Sequence, residues 1–203
     1  MFNTADLSER EQIEALGRWW SQYGKYLLIA VLIGAALGFA WKYLKNMRVQ
    51  YLENASMIYQ DVLSGSKNAE KAADLLKKKF FKTPYASMAA LILAKNDVEH
   101  HQLSEALTEL QWVVDHSRLS RLTQIAHLNA ARILLSEGKT NEASLQVKTI
   151  VDESYAPLVE WVRGDIASKQ GDTQTAQAAY EKAKSGLADF SPATTILAQL
   201  SAS

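Results

Sequence analysis

The sequence predicts an all-α protein, with one transmembrane helix near the N-terminus, then a right-handed α-solenoid of about four degenerate helical hairpins and a short capping helix. Three observations carry that prediction. Helix formers dominate: Ala, Leu, Lys, Glu and Gln are abundant beside only three prolines and nine glycines in 203 residues, which favours helices strongly. The stretch between Lys25 and Lys42 holds no charged residue. From residue 44 onward the chain repeats itself at a period near that of one helix pair.

Bulk composition also excludes several functions. Lysine plus arginine equals aspartate plus glutamate at 22 each, so the chain has no basic field for nucleic acid, and no nucleic-acid partner is expected. The absence of cysteine removes disulfides, thiol nucleophiles and cysteine-based zinc sites, and fits either redox compartment.

The first element is the apolar stretch. A helix from Tyr26 to Trp41 covers roughly 24 Å, less than the roughly 30 Å hydrocarbon core of a bilayer. Its flanks supply the rest. Trp19, Trp20, Tyr23 and Tyr26 crowd one end and Trp41 and Tyr43 the other, the headgroup-level position that amphipathic rings prefer, while Lys25 and Lys42 snorkel outward. A helix from Tyr23 to Tyr43 reaches about 31 Å. Gly38-Phe39-Ala40 loosely resembles a signal cleavage site, but the preceding segment is long and carries Asp6, Glu9, Glu11 and Glu14, unlike a short basic leader. A buried core helix would show a polar face, and this stretch has none. The reading is an uncleaved anchor, with residues 23–43 as the span. Ala30, Gly34 and Gly38 lie four apart, the small-xxx-small spacing at which helices in membranes pack closely.

Residues 1–22 read as a short amphipathic interfacial helix. Ser8-Glu9-Arg10-Glu11 fits a capping box, and Ile13, Leu16, Trp20 and Tyr23 then share a side. Orientation stays open on charge alone, because Arg10, Arg18 and Lys25 on one flank face Lys42, Lys45 and Arg48 on the other.

Residues 44–203 read as a repeat domain. The segments EGKTNEASLQVKTI, from Glu137, and QGDTQTAQAAYEKA, from Gln170, share G-[KD]-T-x-x-A. Two weaker copies extend the pattern, so that Ala72, Ala106, Ala143 and Ala176 stand 34, 37 and 33 residues apart, bracketing the roughly 34-residue period of tetratricopeptide repeats. A small residue early in the second helix lets it lie close against the first, and glycine supplies the turn between them. The predicted hairpins are 44–64 with 68–81, 84–99 with 103–115, 119–137 with 141–153, and 157–170 with 174–186. Pro84 and Pro192 mark helix starts, the latter opening a capping helix over 192–201. The fourth unit is the most regular, with Gly164, Gly171, Ala176, Tyr180 and Ala183 at the consensus places. Tyr43, Leu44, Met47, Tyr51, Ala55, Ile58 and Val62 continue a helical stripe out of the span.

The run EQIEALGRWWSQYGK, the short Gly-containing span, WKY at its exit and the degenerate repeats that follow together resemble the YfgM family, the ancillary subunits of the bacterial Sec translocon. The resemblance covers essentially the whole chain. It implies a single-pass protein of the bacterial inner membrane with a cytoplasmic N-terminus and a periplasmic repeat domain. It also implies two partners: the SecYEG channel and a membrane-anchored periplasmic chaperone of the prolyl-isomerase-like class. Lys42, Lys45 and Arg48 depart from the expected charge of a translocated flank, although long domains translocate largely regardless of charge.

No catalytic signature is present: there is no G-x-S-x-G, Walker loop, dinucleotide glycine pattern or H-E-x-x-H. The expectation is a non-enzyme with no cofactor, metal or small-molecule substrate. His100-His101 falls at a predicted turn, where polar residues are ordinary. Lys77-Lys78-Lys79 with Lys82 reads as a solvated face. Binding is expected on the inner surface of the hairpin stack. Register through the alanines gives an apolar row, Met57, Leu91, Leu128 and Trp161, and a charged row one turn later, Asp61, Lys95, Arg132 and Asp165. Such rows suit an amphipathic helix or an extended peptide, with Trp161 as the favoured anchor type. The function expected is a membrane-anchored scaffold or chaperone-like subunit at the translocon. The alternative is an anchored assembly factor for another envelope complex, binding one folded partner.

Overall fold

A computed structural model describes residues 4–65 and 67–188, and the capping helix expected over 192–201 lies outside them. Among the described residues there are helices and no strands. The elements are α1 (Thr4–Leu63), α2 (Ala69–Lys79), α3 (Pro84–Glu99), α4 (Leu103–His116), α5 (Ser120–Ser136), α6 (Thr140–Lys148), a 3-10 turn (Glu153–Tyr155), α7 (Ala156–Lys169) and α8 (Thr173–Ala188). The chain divides into two compact units, Met1–Leu52 and Glu53–Ser203.

The first unit consists of α1 up to Leu52. No proline or glycine follows Gly38 before Gly65, so nothing breaks the helix at residue 43. Between Gly17 and Leu63 it contains a window of mean hydropathy 2.0, none of it buried, long and apolar enough to cross a membrane. Leu32 is 69% exposed and Phe39 75%. Apolar side chains this open demand an apolar surrounding.

In the second unit the helices pack in chain order. Each of α4 and α6 touches both its own first helix and the next one, and α3, α5 and α7 also meet side by side. The repeat register explains the packing. Ala72, Ala106, Ala143 and Ala176 are each the fourth residue of the second helix in their pair, and all are buried. One turn on stand Leu76, Leu110 and Val147, fully buried, and in the last pair Tyr180. Opposite them on the first helices lie Ala94, Ala131 and Gly164, all buried. The larger Tyr180 is matched by the smaller Gly164, where an added Cβ would meet the tyrosine ring at 2.5 Å. Three apolar clusters fill the stack. The partly buried Leu107 and Trp112 each touch two of them, so the core is continuous between neighbours as in other repeat proteins.

The turns share one chemistry. After α5 the Gly138 amide donates to Leu135 O and that of Lys139 to Leu134 O, and after α7 the Gly171 amide donates to Ser168 O and that of Asp172 to Ala167 O. Both glycines have positive φ, 78° and 82°. After α3 the same pair of bonds forms, from His101 to Val98 O and from Gln102 to Asp97 O, with His101 at φ 61°. The histidine pair therefore marks a left-handed helix cap filled by a side chain in place of glycine. A β-carbon there costs on the order of 1 kcal/mol. His101→Gly should therefore raise the stability of the unit by about that amount in urea unfolding, and an unchanged or lowered midpoint would contradict the assignment.

Two expectations are corrected. The second helix of the third hairpin, expected over 141–153, stops at Lys148. There the Gln124 amide oxygen, buried on α5, accepts from Asp152 N at 2.9 Å, and Asp152 Oδ1 accepts from Ser154 N at 3.0 Å, drawing the chain into the 3-10 turn. The lysine run is not uniformly solvated. Lys77 Nζ lies 2.5 Å from Glu109 Oε1 with both side chains about 15% exposed (15% and 16%), and 5.9 Å from the centre of the Trp112 ring. Lys77 thus ties α2 to α4.

Candidate partner-binding groove

Helices α3, α5 and α7 lie side by side, which brings much of the expected charged row together. One hollow of about 330 Å³ is lined by Leu91, Ala94, Lys95 and Val98 from α3, by Asn129, Arg132 and Ile133 from α5, and by Glu99 and Leu110. A second, of about 500 Å³, is lined by Arg132, Leu135 and Ser136 from α5, by Trp161, Asp165, Ser168 and Lys169 from α7, and by Tyr180 of α8. Arg132 borders both. Leu91, Lys95, Arg132, Trp161 and Asp165 therefore share one surface, as their register implies.

The other row members sit elsewhere. Leu128 is 4% exposed inside an apolar cluster. It is core, because its turn of α5 faces α6 and α7 rather than open space, and it is unavailable to a partner. Met57 and Asp61 are exposed but line neither hollow.

Trp161 is partly exposed and belongs to none of the apolar clusters. Its ring lies 5.6 Å from that of Tyr180 at 58°, a tilted pair that holds the indole in place. The Tyr180 hydroxyl donates to Asp165 Oδ1 at 2.8 Å. Burial, then the hydrogen bond to that carboxylate, push the phenol up to about 12, so it stays a donor throughout the physiological range. The consensus position of Tyr180 is visible in the sequence. Its place in the groove is not, because the side chain reaches there only through the notch at Gly164.

Charge in the groove is unevenly satisfied. Lys95 pairs with Glu99 at 3.5 Å, and Asp165 accepts a hydrogen bond from the Tyr180 hydroxyl. Arg132 is exposed and makes no salt bridge among the described residues. A separate hollow of about 590 Å³ gathers Glu70, Asp74, Asp97, Glu105 and Glu109 with His100. Burial, then the charges of Glu105 and Glu70, raise the Asp97 carboxyl above its usual range. Among the described residues no group of three His, Cys, Asp or Glu side chains is placed to hold a metal.

On α1, Trp19, Trp20, Tyr23, Tyr26, Trp41 and Tyr43 are all exposed. Gly24 is buried beneath the Trp20 ring, where a Cβ would come within 3.1 Å, and Lys25 Nζ sits 5.0 Å from the centre of the Tyr26 ring. Ala30, Gly34 and Gly38 are exposed, and a Cβ at either glycine would meet nothing within 4 Å.

The model of the tetratricopeptide repeat-like domain family matches residues 17–201. The chain is similar to the ancillary SecYEG translocon subunit of Escherichia coli K12, with 26% identity over 196 residues, covering 95% of this chain and 94% of that one. The protein of the same name in Haemophilus influenzae is 26% identical over 182 residues, 88% of this chain and 89% of that one. Its counterpart in Neisseria gonorrhoeae is 24% identical over 186 residues, 88% of each. No solved structure matches.

Proposed function

Since the chain belongs to the tetratricopeptide repeat-like domain family, we propose that it is a non-enzymatic, membrane-anchored scaffold associated with the SecYEG translocon. In this reading α1 anchors it in the bacterial inner membrane with the N-terminus cytoplasmic. The repeat unit in the periplasm holds a prolyl-isomerase-like chaperone or an emerging chain in the groove between α3, α5 and α7. The observation that carries the reading is similarity to ancillary SecYEG translocon subunits along 95% of the chain, from the apolar helix through the repeats. The physical arrangement supports it. An exposed apolar helix long enough to cross a bilayer fits a membrane anchor, and a groove with an aromatic anchor and flanking charges suits a peptide segment rather than a reacting small molecule.

The face of Ala30, Gly34 and Gly38 gives the anchor a surface on which a second transmembrane helix can approach closely. The test is affinity purification of the tagged full chain from solubilised membranes. SecYEG should be retained by the wild type and lost with Gly38→Leu, which adds bulk without polarity. Retention of a different envelope complex in its place would favour an assembly factor and contradict the translocon reading.

A further inference from the structure

We propose that the groove selects a segment carrying one carboxylate side chain between two apolar side chains, with Arg132 as the charge partner. This rests on the scaffold reading and specifies what that site takes.

The argument is one of complementarity. Each hollow offers accessible apolar surface: Leu91 and Val98 in one, Trp161 in the other. Arg132 stands on the border common to both. Three of the other charged groups nearby, Lys95, Glu99 and Asp165, have partners. Glu99 takes Lys95, and Asp165 takes the hydroxyl of Tyr180, whose ring lies against the Trp161 indole. Lys169, also exposed, adds a second cation to the rim of the Trp161 hollow.

Counting only the groups that line the two hollows, Lys95, Arg132 and Lys169 outnumber Glu99 and Asp165. The surplus is positive and is concentrated where the hollows join. A basic segment would meet that surplus with like charge, and a wholly apolar one would cover Arg132 without pairing it, which is costly. A carboxylate satisfies the guanidinium, and apolar neighbours on alternate positions of an extended chain project to the same side.

The test uses the full chain in detergent and two fluorescein-labelled nonapeptides. One has leucine, glutamate and phenylalanine at positions three, five and seven among serines and glycines. The other has lysine in place of the glutamate. The glutamate peptide should bind at least tenfold more tightly, the preference should shrink as salt rises, and Arg132→Glu should reverse the order. Equal binding of the two peptides, binding of neither, or a preference unmoved by Arg132→Glu would overturn the proposal. So would a dimer seen in sedimentation that Arg132→Glu dissolves, which would give the groove to a second copy. Arg132 is exposed, so circular dichroism of the variant should match the wild type. The two readings fail separately: failure of the wild type to capture SecYEG sinks the scaffold, whereas wild-type capture with indifferent peptide binding sinks only the charge selection.

Discussion

Gly164→Val should destabilise the repeat unit by about 3 kcal/mol, near the top of the usual range for forcing bulk into a packed contact. Intrinsic helix preference argues the other way, since a mid-helix glycine is roughly 0.5–1 kcal/mol worse than alanine. Packing decides the sign. A Cβ at residue 164 would lie 2.5, 2.6 and 3.0 Å from three ring atoms of Tyr180. That ring is not a free end: it donates its hydroxyl to Asp165 and lies against Trp161. Moving it breaks the hydrogen bond and parts α7 from α8. Urea unfolding of the full chain in mild detergent, followed by tryptophan fluorescence, measures the loss. Tyr180→Ala in the Gly164→Val background should recover part of it, because neighbouring changes in one contact are not additive. Strict additivity would mean that the notch and the ring are unrelated.

Trp161→Ala should leave stability within about 1 kcal/mol of the wild type, since the ring contributes to no apolar cluster, while weakening partner binding by about 2 kcal/mol, roughly thirtyfold. Buried aromatics cost roughly 3–5 kcal/mol when truncated, so the two roles separate cleanly on one variant. Loss of stability with no separate loss of affinity would return Trp161 to the core and remove the apolar anchor from the groove.

Much of this was legible in the sequence because the repeat is written in small residues. Ala72, Ala106, Ala143 and Ala176 fixed the register, and all are buried at one position of their helices. The same register placed Lys95, Arg132 and Asp165 on one surface. Leu128 fell out because register gives the helix turn but not the direction from which the neighbouring helices close over it. The pairings of Lys77 with Glu109 and of Tyr180 with Asp165 join residues on different helices, and single-chain periodicity carries no signal for them. The end of α6 was hidden for a similar reason: its stop is set by Gln124, 28 residues upstream of Asp152. His101 was legible as a turn residue, but that it takes the left-handed position which Gly138 and Gly171 fill in the other units was not, because positive φ is uncommon for any residue but glycine.

The most direct test of the groove as the gripping surface is photo-crosslinking in native membranes, with a crosslinking residue placed singly at Leu91, Arg132 or Trp161 and, for comparison, at Leu145 or Val151. The latter two are 62% and 81% exposed and lie outside both hollows. The groove positions should yield adducts with one and the same partner, and Leu145 and Val151 should yield none with it. Adducts from Leu145 or Val151 alone, with the three groove positions silent, would show that the repeat unit holds its partner on another face.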